Sequence, residues 1–259
     1  MKFKKIKENS KPITVYWSPA FDPREQDWTF LYPYPERVFD NLLNQKSKII
    51  EKNSFLACPS FLDVTKNTLC VKSPISASYD INTNEKNEKS ISPTSSEFFN
   101  IRALRESPLD DAMTVFFSFQ HIFFAEEPLE ILFTSPYFHQ SEYMKYGAVV
   151  PGSFDIGQWF RTINFEIQIW KNSKKFKIDK NEILFYLYFK TDRPIVFKKF
   201  NYTEELFKLS ASSTTATTVL GKGQTLISRY FNFKNTGMRD KVLTLIKNNL
   251  IEESNPIKN

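Results

Sequence analysis

The chain has 259 residues but only 6 glycines, 2 cysteines and 2 histidines. The shortage of glycine argues against a fold dominated by tight glycine hairpins. Cys58 and Cys70 can form one disulfide at most, and a domain of this size does not need one. They stand without a second pair or a nearby histidine, so a zinc knuckle is excluded, and both read as reduced structural thiols. No stretch approaches the roughly 18 apolar residues of a membrane-crossing helix. The start, Met1-Lys2-Phe3-Lys4-Lys5-Ile6-Lys7, is basic with no apolar region behind it, so no signal peptide is expected. These absences point to a soluble cytoplasmic protein with no membrane partner.

Arginine is scarce too, supplying eight of the 35 basic residues. The net charge of +6 and pI near 9.1 suggest an anionic partner. Readers of nucleic acid lean on the planar arginine fork, however, and abundant Lys, Asn, Ile and Phe instead suit an AT-rich genome. Aromatic residues are plentiful, at 16% with 26 Phe, enough for a substantial core and favourable to strands.

Strand patterns dominate the chain. Ile13 to Trp17 reads as a short strand, followed by a Pro- and aromatic-rich wrap through Tyr34-Pro35. That wrap is expected to lay Phe21, Trp28 and Phe30 on the core, or to rim a ligand or partner site. Val38, Phe39, Leu42 and Leu43 form one stripe of a helix over 36–50. Short strands are expected at Phe55–Leu56 and Leu69–Val71. Residues 82–96 are polar and read as a surface loop, and residues 1–12 as a loose basic arm. Val115, Phe117, Phe119, His121 and Phe123 share one face of a strand, and Leu129 to Phe133 forms another. Ile163, Phe165, Ile167 and Ile169 alternate with Thr162, Asn164, Glu166 and Gln168, the pattern of a strand with one wet face. Ile183 to Phe189 is apolar on both faces and should be a central covered strand. Ile195 to Phe200 adds a further strand and Tyr202–Leu209 a short helix. Residues 210–219 read as a Ser/Thr-rich loop, Leu226–Phe233 as strand or helix, and 238–251 as a last helix. No βαβ alternation occurs. The whole reads as one domain over 1–259, an antiparallel β-sandwich or jelly roll with a few peripheral helices.

Few residues suggest chemistry. Gly221-Lys222-Gly223-Gln224-Thr225 lacks the spacing of a phosphate loop. Gly152-Ser153-Phe154-Asp155-Ile156-Gly157 is not a nucleophile elbow. A non-haem iron site would need both His121 and His139, with Glu126, Glu127 or Glu142 as the carboxylate. Jelly-roll folds host such sites, but the helpful His-x-Asp/Glu spacing is absent and His121 sits among phenylalanines. The richest cluster is the connection from Tyr137 to Arg161. It carries Tyr137, Tyr143, Tyr146, Trp159 and Arg161, residue types that bind a protein partner or stack on bases.

Three stretches carry a resemblance: Ser18-Pro19-Ala20-Phe21 through Tyr34-Pro35; Thr134-Ser135-Pro136-Tyr137 through Gly152-Ser153-Phe154-Asp155-Ile156-Gly157-Gln158-Trp159-Phe160-Arg161; and Thr191-Asp192-Arg193-Pro194. Together they resemble uncharacterised proteins of marine T4-like tailed phages, such as those of cyanobacteria. The resemblance implies a phage product made in a bacterial host cell or associated with the virion, and brings no catalytic residues. The leading expectation is a non-catalytic protein acting by protein–protein contact or self-association, in assembly or host takeover. The alternatives are an iron-dependent oxygenase using His121 and His139, and single-stranded nucleic-acid binding.

Overall fold

The structure is a computed structural model that describes residues 11–22, 29–45, 55–83, 89–94, 101–106, 113–214 and 225–251. The expected basic arm lies outside these except for Lys11 and Pro12. Trp28, positions 46–50 and the turn before Thr225 lie outside them as well. In chain order the strands are β1 (Ile13–Ala20), β2 (Glu36–Arg37), β3 (Thr68–Lys72), β4 (Ala77–Thr83), β5 (Lys89–Pro93), β6 (Ile101–Glu106), β7 (Met113–Ala125), β8 (Glu130–Thr134), β9 (Gly147–Val149), β10 (Gly152–Asp155), β11 (Thr162–Ile169), β12 (Lys175–Ile178), β13 (Ile183–Phe189) and β14 (Ile195–Lys199). The helices are α1 (Val38–Gln45), α2 (Pro59–Thr65), α3 (Glu204–Thr214), α4 (Leu226–Asn235) and α5 (Met238–Asn248). None of the described helices is long and apolar enough to cross a membrane.

The protein is mainly β, and its strands form three open sheets. The first runs β14-β1-β7-β11-β9, with β6 also on β7. One edge of β7 is taken by β11, and β1 and β6 share the other. The second runs β10-β8-β13-β3-β2 and the third β12-β4-β5. All pairs are antiparallel except β1 with β14.

A single aromatic core fills the space between these sheets, with Val15, Trp17, Val115 and Phe165 from the first sheet, Val71, Ile131, Leu187 and Phe189 from the second, and Tyr79 and Phe176 from the third. Phe117 is at its centre, with ring centroids 5.4 Å from Phe165 and Phe176 and 5.9 Å from Tyr79. The outer face of the first sheet carries a second core. Ile122 and Phe124 turn that way, as strand alternation requires, and pack with Leu206, Phe233, Val242 and Ile246 of α3–α5. The outer face of the second sheet carries a third, smaller one: Cys70, Ile183 and Tyr186 under Val38 and Leu42 of α1. The helices therefore cover sheet faces. The strand β13 is central and buried on both sides, as its doubly apolar run predicts, and β11 alternates buried and half-buried along its whole length.

Several expectations are corrected. Phe55–Ala57 is a 3-10 turn, not a strand, and leads into α2, which Pro59 opens at its first helical position. The expected loop at 82–96 includes the end of β4 and all of β5, where Ile81 faces Ile91 across a hairpin. A polar edge strand lacks the apolar alternation by which strands are recognised. The first helix starts at Val38 because Glu36 and Arg37 pair with β3. Of the Ser/Thr run expected as loop, 210–214 continue α3, where Ser213 donates to the Phe160 carbonyl at 2.6 Å, and positions 215–219 lie outside the described residues. Leu226–Phe233 resolves as helix, with Thr225 capping the Ser228 N–H. In the wrap after β1, Phe30 faces solvent, while Tyr32 and Tyr34 pack on the inner core.

Because Phe117 is fully buried against three rings, Phe117→Ala should cost about 3–5 kcal/mol in urea unfolding. A loss below about 1 kcal/mol would show that this ring does not centre the core.

Candidate functional site

The structure does not bring the proposed iron ligands together. His121 is buried in the inter-sheet core, edge-on to Tyr32 (5.2 Å) and stacked on Phe123 (6.4 Å). Its Nε2 has no hydrogen-bond partner. Burial pushes its pKa down from 6.5 to about 3, so the ring is neutral. His139 follows β8 and joins the outer face of the second sheet, bonded to Tyr186 and Asn41. Glu126 accepts from the Tyr16 hydroxyl (2.6 Å) and pairs with Lys247 of α5 (3.1 Å). Glu127 pairs with Arg193, and Glu142 with Lys145 (2.5 Å). Among the described residues no three His, Cys, Asp or Glu are placed to hold a metal ion.

His139 instead belongs to a polar chain that the sequence does not announce. Lys72 Nζ lies 2.8 Å from Glu36 Oε1, and Asn41 Nδ2 donates to Glu36 Oε2 at 2.6 Å. A carboxylate only accepts, which fixes the amide orientation and turns Asn41 Oδ1 the other way. That oxygen receives Gln45 Nε2 and His139 Nε2, each at 2.9 Å. His139 therefore carries its proton on Nε2, and its Nδ1 accepts the Tyr186 hydroxyl. Burial and then the Lys72 charge lower the His139 pKa, which keeps this neutral form. Burial alone would raise the Glu36 pKa, but the bonds from Lys72 and Asn41 outweigh it and hold the group ionised. Every donor from Tyr186 to Asn41 points toward Glu36. Asn41 and Tyr186 are buried, beside Cys70 and Val38.

The aromatic connection divides between the two outer faces and the core. Tyr137 is exposed and packs its edge against Phe138 and Tyr186, above the polar chain. Tyr143 is fully buried and its hydroxyl donates to the Leu184 carbonyl, so it has no surface to offer a partner. Tyr146 packs on the inner core and its hydroxyl donates to Glu142 at 3.2 Å. Trp159 and Arg161 lie on the opposite side of the molecule's core, beside α4. The Arg161 guanidinium is 4.6 Å from the Trp159 ring and 5.5 Å from that of Phe154. Trp159 meets Tyr230 at 5.5 Å, and Tyr230 meets Phe231 at 5.5 Å. A continuous run of rings thus leads outward to Phe231 and Ile227, which are 51% and 69% exposed one helical turn apart. The opposite face of α4 buries Arg229 and Phe233.

Much of the Gly152–Arg161 segment is structural. Asp155 accepts from the Leu129 and Gly157 amides (2.9 and 2.8 Å) and from Gln158 Nε2 (2.9 Å). Gly157 lies so near Glu127 that a Cβ would sit 2.0 Å from its carbonyl oxygen. Arg239 of α5 donates to the Gly157 and Glu126 carbonyls. Sequence reading found Trp159 and Arg161 but missed Ile227 and Phe231, whose only signal is two apolar residues four apart on the face opposite Phe233.

No protein-family model, no curated protein and no solved structure matches the chain.

The neutral, buried His121 makes stability depend on acid. Its pKa is lower in the folded than in the unfolded chain, so its contribution is complete above pH 6.5 and is lost as the pH falls toward about 3. Each pH unit of that window is worth about 1.4 kcal/mol. His121→Phe should flatten the fall in unfolding free energy between pH 6 and 4 (roughly the upper part of that window), leaving what His139 and the hydrogen-bonded carboxylates contribute. Parallel pH profiles for the two proteins would refute this origin.

Proposed function

We propose that this chain is a non-catalytic β-sandwich protein that acts through protein–protein contact, with the outer side of α4 as its contact surface. One observation carries the reading: Ile227 and Phe231 are exposed together at the end of a packed ring system. The packed backing matters. Tyr230 packs against Phe231 and Trp159 against Tyr230, and the Arg161 guanidinium lies over the Trp159 ring behind them. Large apolar groups on a rigid base, with an arginine at the rim, are the composition of binding hot spots. A phage-type setting, in assembly or host takeover, rests on the three resembling stretches of sequence.

A photo-crosslinking amino acid at position 231 should give discrete adducts with another protein, or with a second copy, in the cell that makes the chain. Ile227→Asp should abolish them while leaving the circular dichroism unchanged, because this side chain is solvent-facing. If position 231 yields no adduct, or if the adducts survive Ile227→Asp, α4 is not the contact surface.

A further inference from the structure

On the outer face of the second sheet, Glu36 holds a primary amine and a primary amide on the two oxygens of one carboxylate. Lys72 Nζ is 2.8 Å from Oε1 and Asn41 Nδ2 is 2.6 Å from Oε2. The three residues come from β3, β2 and α1, and β2 pairs with β3 so that Glu36 stands opposite Cys70, two residues from Lys72. The amide is polarised from its other end. Its oxygen accepts two N–H donors, from His139 and Gln45, at 2.9 Å each. Two donors on a carbonyl oxygen stabilise the negative charge that develops there when a nucleophile adds. The surroundings are apolar, with Val38, Cys70, Ile183 and Tyr186 all buried, and Lys72 itself is mostly covered.

We propose that Lys72 and Asn41 join through an intramolecular isopeptide bond, with Glu36 as the proton carrier. The Glu36 carboxylate takes a proton from the Lys72 ammonium. The freed amine adds to Cγ of Asn41, and the charge gathering on Oδ1 rests on the His139 and Gln45 N–H groups. Glu36 returns its proton to Nδ2, the Cγ–Nδ2 bond breaks and ammonia leaves. The second proton lost by the Lys72 nitrogen goes with it as ammonium. One C–N bond is made and one is broken, and no oxidant, metal or cofactor is consumed. Holding amine, amide and carboxylate in one cluster replaces the high concentrations that the same reaction would need between free molecules. The product ties α1 covalently to the end of β3, the strand beside the β2 edge of the second sheet.

Intact mass spectrometry of the folded wild-type protein tests this directly. The expected mass is below that of the encoded sequence by one ammonia, about 17 Da. A protease digest should contain one species joining the Lys72 peptide to the Asn41 peptide. Lys72→Arg and Glu36→Ala should each restore the encoded mass and remove the joined species. The full encoded mass in folded, aged wild type would overturn the proposal. An ammonia loss that persists in Lys72→Arg would also overturn it, because it would mark cyclisation of an asparagine side chain onto its own backbone. Should either variant fail to fold, the joined peptide in wild type decides alone.

Discussion

The architecture depends on β7 being buried on both faces at once. Met113, Val115, Phe117, Phe123 and Ala125 enter the aromatic core between the sheets, and Ile122 and Phe124 enter the core beneath α3–α5. Both edges are paired, so its backbone polar groups are satisfied by the preceding strand β6 and by β1 and β11 from farther along the chain. The rest follows from this. Strands β1 and β11 must be long enough to flank it, and the helices must gather on the face it presents outward. The second sheet must bring bulky rings to the inner side, which β13 does with Phe185, Leu187 and Phe189.

The two outer faces are closed by different means. Three helices seal the first sheet with an apolar core, Leu206, Phe233, Val242 and Ile246 among it, and with polar contacts from Ser213, Arg239 and Lys247 at its margins. One short helix seals the second, and there the contact is completed by the chain of Tyr186, His139, Asn41, Glu36 and Lys72. A buried polar chain of this kind tolerates little displacement, because each broken bond would strand a desolvated group. The short α1 is thus held in one register by geometry, where apolar packing would permit sliding.

Periodicity made part of this legible in the sequence. The alternation in β11 and the doubly apolar run of β13 gave their burial correctly, and His121 among phenylalanines reads as the core residue it is. Weakly patterned elements were not legible. The polar edge strand β5, with its Ser90 and Ser92, reads as loop, and α3 runs on through serines that bond back to carbonyls. The network around Glu36 was hidden for another reason. Its five residues come from five segments, and none belongs to a recognisable spacing. Asn41 in particular sits beside Leu42 on a helix whose apolar stripe draws attention away from it. The same limit applies to Tyr143: an aromatic residue in a long connection looks like surface, and only the structure shows it threaded under the second sheet.

The parallel pairing of β1 with β14 has a consequence for the order of events during synthesis. Ile13 takes its place opposite Ile195, and its other neighbour, β7, begins only at Met113. The apolar β1 therefore keeps one edge open until β7 is made and the other until β14 is made, late in the sandwich. Contacts so distant along the chain slow folding and prolong the exposure of sticky edges. The parallel edge of the first sheet should accordingly close later in folding than the antiparallel one.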